Sequence, residues 1–156
     1  MTVPRLWARV IPWDKAVAVA ALESGVTALW VPDGCASRAR ELGRVVVACA
    51  EGDLREGADF RVTRMEGKED ELRIAASPGE AVWVVFPRER EIIPLENLVA
   101  WGRRILVVAA TPQDVSLYRG VLEKGVYGLV LSSPDSSGMR ALAGAATARA
   151  ERATEP

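Results

Sequence analysis

Histidine is absent from this 156-residue chain, and cysteine occurs only at Cys35 and Cys49. The first absence removes the usual imidazole base and zinc ligand. Acid–base chemistry must then fall to Asp, Glu, Lys, Cys or Tyr. Two cysteines make no disulfide framework. No run approaches the roughly 18 apolar residues of a membrane span, and the N-terminus lacks the basic, apolar and cleavage-site series of a secretory leader. A soluble, cytoplasmic protein with no membrane partner is expected. An excess of one charge is also missing: 20 Lys and Arg face 21 Asp and Glu, a formal net charge of -1. Without a broad basic field, a nucleic-acid partner is not expected. There is no Gly-x-Gly-x-x-Gly stretch and no lysine-bearing phosphate loop. Gly34, Gly52 and Gly57 are too scattered to form either, so the residues themselves give no dinucleotide site. No group of Cys, Asp and Glu has metal-ligand spacing, and no metal is expected.

What is present is an ordinary globular composition, 49% hydrophobic and 26% charged, in a length that suits one core. One pattern occurs twice. Ala21-Leu22-Glu23-Ser24-Gly25-Val26-Thr27-Ala28-Leu29-Trp30-Val31 is echoed by Val121-Leu122-Glu123-Lys124-Gly125-Val126-Tyr127-Gly128-Leu129-Val130-Leu131. Each copy reads as a helix end, a C-capping glycine and a strand too apolar to have a wet face. Such strands belong to parallel sheets covered on both sides.

In chain order, strands are expected over Leu6–Ile11, Val26–Val31, Arg44–Ala50, Ala81–Phe86, Arg104–Ala109 and Tyr127–Leu131. Helices are expected from Trp13-Asp14-Lys15 to Ser24, over Ala36–Leu42, from Pro94 through Trp101, from Thr111-Pro112 to Lys124, and over Gly138–Ala153. Asp59–Met65 is a weaker strand candidate, and Leu72–Ala76 reads equally as strand or helical turn. The run Glu66–Glu71 reads as solvated surface. Six clear strands and two weaker ones give an α/β protein, a compact or incomplete TIM-like (β/α) barrel with mainly parallel strands. Eight strands would permit closure, but closed barrels usually take about 250 residues. Residues 1–150 are expected to form one such domain, with 151–156 a polar tail.

In parallel α/β proteins the reactive rim is the carboxyl end of the strands. That places Trp13, Asp14, Asp33, Cys35, Glu51, Asp53, Arg88–Glu91, Glu96, Asn97, Thr111, Gln113 and Ser132–Ser136 at the rim. Asp14 and Lys15 offer a carboxylate and an amine to a polar metabolite, or simply an N-cap and a surface lysine. Asp33 suits the Pro-Asp-Gly turn it occupies. Cys35 opens a helix, where a thiolate would be favoured, or is a small buried thiol. Glu96 can act as a base or hold an amine, and Asn97 can bind a carbonyl or hydroxyl. Their plainer roles are helix-dipole placement and a local hydrogen bond. Thr111 and Ser132-Ser133 can help to hold an anion or serve as caps.

Several of these pieces together resemble the type II, archaeal-type 3-dehydroquinate synthases, and only their N-terminal half. They are Trp7, Trp13-Asp14-Lys15, Ala21-Leu22-Glu23-Ser24-Gly25-Val26 and Arg40-Glu41-Leu42-Gly43, then Ile92-Ile93-Pro94-Leu95-Glu96-Asn97-Leu98-Val99-Ala100 and Leu122–Leu131. They fall in the family's order across most of positions 5–132, and the Ile-Ile-Pro-Leu-Glu-Asn-Leu block is the most specific. The resemblance implies NAD-dependent oxidative deamination and cyclisation of 2-amino-3,7-dideoxy-threo-hept-6-ulosonate to 3-dehydroquinate. It implies NAD as cofactor and a small-molecule substrate, and puts Asp14, Lys15, Glu96 and Asn97 at matching catalytic positions. Family members are about twice as long, with a glycine- and β-rich second half not seen here. The chain is therefore expected to be one part of a split enzyme with a separate C-terminal-half protein, or a non-catalytic ligand-binding or assembly module. Homo-oligomerisation is expected under either, to cover exposed sheet edges.

Overall fold

The computed structural model describes residues 3–88, 92–122 and 127–154. Glu89–Glu91 of the expected rim, and Glu123–Val126 of the second repeat copy, lie outside the described residues.

Among the described residues seven strands and six helices follow one another, in alternation except where the third strand leads directly to the fourth. They are β1 (Leu6–Arg9), α1 (Lys15–Glu23), β2 (Ala28–Trp30), α2 (Ala36–Arg40), β3 (Val46–Ala48), β4 (Arg61–Arg64), α3 (Lys68–Ala76), β5 (Val82–Phe86), α4 (Ile93–Ala100), β6 (Arg104–Ala109), α5 (Pro112–Leu122), β7 (Gly128–Ser132) and α6 (Ser136–Thr154). All pairings are parallel, in the order β3-β2-β1-β7-β6-β5-β4. This is the circular order of a barrel cut between β3 and β4. The chain is an α/β protein with a curled, incomplete parallel barrel flanked by helices.

The cut has a local cause. Every other crossover of the sheet contains a helix, but β3 runs to β4 through residues 49–60, which hold none. This segment folds back on β3 instead. Asp53 and Leu54 donate to the Val47 carbonyl at 2.7 and 3.1 Å, and Leu54 forms an isolated bridge with Ala48. Leu54 and Phe60 thereby fill the barrel interior where another ladder would have closed it.

Strand residues alternate between two cores, as the two-residue period requires. Ala8, Leu29, Val47, Val85, Val107 and Leu131 face the helices. Trp7, Trp30, Val84, Leu106 and Val130 face inward. Phe60 meets Trp7 edge-on at 5.2 Å and Trp30 at 5.9 Å, a favoured aromatic geometry.

Gly25 holds φ +97° at the end of α1, the left-handed C-cap expected of the first repeat copy. Gly128 starts β7 where a Cβ would lie 2.0 Å from the Arg5 carbonyl oxygen. Only glycine lets the first and last strands meet there.

The middle of the chain settles one open alternative and changes one expectation. Leu72–Ala76 belongs to helix α3, not to an eighth strand. The charged run before it opens that helix, and Glu71 is only 4% exposed. Asp70 explains the helix start, accepting from the backbone N–H of Glu66 at 2.8 Å and of Gly67 at 3.2 Å.

Candidate functional site

Parallel strands put the start of every following helix on one rim. Asp14 and Lys15 after β1, and Glu96 and Asn97 in the first turns of α4 after β5, therefore share the carboxyl end of the sheet. Asp14 caps α1, its Oδ1 accepting from Val17 N at 3.2 Å. Its side chain also lines a cavity of about 320 Å³ with Arg9, Ile11, Pro12, Ser132 and Ser133. Lys15 is exposed beside it.

Asn97 is turned to a different task. Its amide nitrogen donates to Glu71 Oε1 at 2.9 Å, across the α3–α4 contact. Glu71 Oε2 receives Lys68 Nζ at 3.1 Å. Burying this carboxylate requires such partners. Glu96 is exposed, one position earlier. The structure thus places Asp14 on the cavity wall, leaves Lys15 exposed outside that lining, and commits the Asn97 side chain to helix packing.

The other rim residues mostly hold turns. Thr111 Oγ1 accepts from Asp114 N at 3.0 Å, and Asp114 Oδ2 accepts from Thr111 N at 3.2 Å, a reciprocal cap on α5. Asp135 Oδ1 accepts from Gly138 N at 2.6 Å at the start of α6. Asp53 Oδ2 accepts from Val47 N at 2.9 Å. Arg88 donates to the Glu66 carbonyl at 2.8 Å. Gln113 is exposed, and Trp13 packs on the helix-side core. Cys35 is half-buried at the start of the five-residue α2 and makes no capping bond.

Two groupings escape sequence reasoning. The first is Asp33, Cys49 and Glu51, whose ligand atoms lie within 4.8 Å of one another. They are up to 18 positions apart in sequence and meet because β2 pairs with β3. Such a donor set can hold a metal ion, but each carboxylate is already engaged. Asp33 Oδ1 accepts from Ala50 N at 2.8 Å. Backbone N–H bonds, first from Gly34, and the Cys49 thiol hold the Glu51 carboxyl down to about 2. Burial, and then the Glu51 carboxylate, push the Cys49 thiol up to about 11, so it stays protonated and donates to Glu51 at 3.2 Å. The trio acts as a clasp between the β2–α2 turn and the end of β3.

The second grouping is in the barrel mouth. Arg9 ends β1 and Arg64 ends β4, and both guanidinium groups lie over the Phe86 ring, at 5.7 and 4.4 Å from its centre. Arg9 also lies 5.5 Å from the centre of the Trp30 ring. Register places these side chains together: Arg9 pairs with both Trp30 and Ser132, and Arg64 pairs with Phe86. Burial first, and then the Arg64 charge, hold the Arg9 pKa below its usual value.

Comparison with known proteins adds identity to this geometry. The sequence model of the 3-dehydroquinate synthase II N-terminal domain matches residues 5–146. The chain belongs to the type II 3-dehydroquinate synthase family. It is 37% identical over 131 residues to the 3-dehydroquinate synthase of Methanospirillum hungatei, covering 84% of this chain and 39% of that protein. It is 36% identical over 130 residues to a 3-dehydroquinate synthase homolog of Aquifex aeolicus, covering 83% and 39%. The 3-dehydroquinate synthase of Methanoculleus marisnigri is 36% identical over 140 residues, covering 88% and 41%. This 3-dehydroquinate synthase II family chain thus spans about two fifths of the length of these relatives. A designed cube-shaped, highly porous protein cage made by fusing symmetric oligomeric domains shares its fold. That likeness has a TM-score of 0.56 at 15% identity and covers 97% of this chain and 76% of the cage chain.

Proposed function

We propose that this family member supplies the N-terminal part of a type II 3-dehydroquinate synthase. The reaction is NAD-dependent oxidative deamination and cyclisation of 2-amino-3,7-dideoxy-threo-hept-6-ulosonate to 3-dehydroquinate. The match over residues 5–146 carries the proposal. In this reading Asp14 holds the substrate amine from the cavity wall, Lys15 stands beside it, and Glu96 faces the same rim. Asn97 acts by fixing α4 through Glu71.

NAD does not fit this chain's own turns. The β1–α1 connection is Val10-Ile11-Pro12-Trp13-Asp14, with bulky residues where a pyrophosphate cradle needs glycine. The positive-φ glycines Gly25, Gly34, Gly43, Gly57 and Gly102 occupy separate turns. We therefore assign NAD binding to the part of the family enzyme beyond the matched residues, supplied in the split-enzyme reading by a separate chain. No step of the chemistry is assigned to NAD at this chain's rim.

A second reading, a non-catalytic ligand-binding or assembly module, is favoured by the engagement of Asn97 with Glu71 and by three exposed apolar side chains. These are Leu72, Ile93 and Trp101, at 52%, 72% and 47% exposure. One assay separates the two. The chain is incubated with the aminoheptulosonate and NAD, with and without a protein corresponding to the remaining part of its relatives. 3-Dehydroquinate formed only with both chains supports the split enzyme. No turnover and no ligand binding in either mixture removes the catalytic reading.

A further inference from the structure

We infer that Arg9 and Arg64 form an oxyanion-binding site in the mouth of the incomplete barrel, which takes the carboxylate or phosphate group of a small organic anion. Two like charges stacked on the single Phe86 ring repel one another. Among the described residues no carboxylate answers either guanidinium, although the chain has 21 acidic side chains. Arg9 Nη1 reaches only the Ile11 carbonyl, at a long 3.4 Å, and Arg9 Nε is buried with no acceptor. A buried guanidinium N–H without an acceptor is unfavourable, and native structures rarely leave one so. An anion between the two arginines supplies that acceptor and cancels the repulsion.

The surroundings fit a ligand of modest size. Trp30 and Phe86 hold the guanidinium planes, so the N–H edges stay available for planar, bidentate contact. Ser132, the β7 register partner of Arg9, adds a hydroxyl. Arg9 also lines the cavity of about 320 Å³ that reaches Asp14 and Ser133, leaving room for the body of the molecule. Arg64 is exposed and opens the site to solvent.

The site does not depend on the reaction proposed above, and its test needs neither NAD nor the aminoheptulosonate. Protein carrying 15N-labelled arginine is titrated at low salt with inorganic phosphate and, separately, with malonate, while the arginine Nε–H resonances are followed by NMR. A saturable shift of Arg9 Nε with one probe assigns the site to phosphate or to carboxylate ligands. Affinity is expected to fall about ten-fold or more in Arg64→Gln, with Arg64→Lys between the two and the thermal midpoint unchanged. If neither probe saturates by about 20 mM, or if both bind Arg64→Gln as well as the parent, the site does not exist. Should Arg64→Gln fail to fold, the parent titration and Arg64→Lys decide the matter alone.

Discussion

Glu71 and Asn97 show how a helix pair accommodates a buried carboxylate. Removing the amide in Asn97→Ala leaves one oxygen of a 4%-exposed group without its donor. A loss of about 1–3 kcal/mol is expected from equilibrium urea unfolding. An unchanged midpoint would return Asn97 to a role at the rim. Glu51 makes a prediction in pH. Its folded carboxyl titrates at about 2 against an ordinary 4.5. The folded state therefore favours the ionised form. Its contribution is complete above pH 4.5 and is lost as pH falls towards 2. Glu51 is exposed, so the effect is modest and weakened by salt. In Glu51→Gln the urea midpoint should change less over this acid range than in the parent. Identical acid limbs would mean that the clasp adds no stability.

Segment 49–60 and strand β7 decide the shape of the sheet. Phe60 is 2% exposed and packs on two tryptophans inside the barrel. Phe60→Ala should cost about 3–5 kcal/mol in the same unfolding experiment. Gly128→Ala would force a methyl group onto the Arg5 carbonyl at the seam of β1 and β7. It should destabilise by about 1–3 kcal/mol or more, with amide exchange accelerated first in those two strands. Six strands were legible because their apolar runs have no wet positions, and Gly25 because a helix end preceded it. The 66–76 region was not, since a charged run says nothing of the partner that buries Glu71. The same limit hid the mouth. Arg9 and Arg64 are 55 positions apart, and a lone arginine ending a strand reads as surface. Only strand order and register show that both point inward onto Phe86. Asp14, by contrast, was legible as cap and as rim residue, because both follow from its place after a strand.

At the scale of the molecule, an α/β chain in the circular order of a barrel offers one rim and one mouth. Among the described residues no helix is long and apolar enough to cross a membrane. The rim carries Asp14, Lys15 and Glu96, and the mouth carries the arginine pair. The function proposed above requires this body to stand in for the N-terminal part of a family enzyme. A chimera tests it most directly, with residues 5–146 of this chain replacing the matching segment of the Methanospirillum hungatei 3-dehydroquinate synthase. The folded chimera should form 3-dehydroquinate from the aminoheptulosonate and NAD, and should lose that activity in Asp14→Asn. A chimera that folds with native-like cooperativity and yields no product would show that this body cannot supply that part.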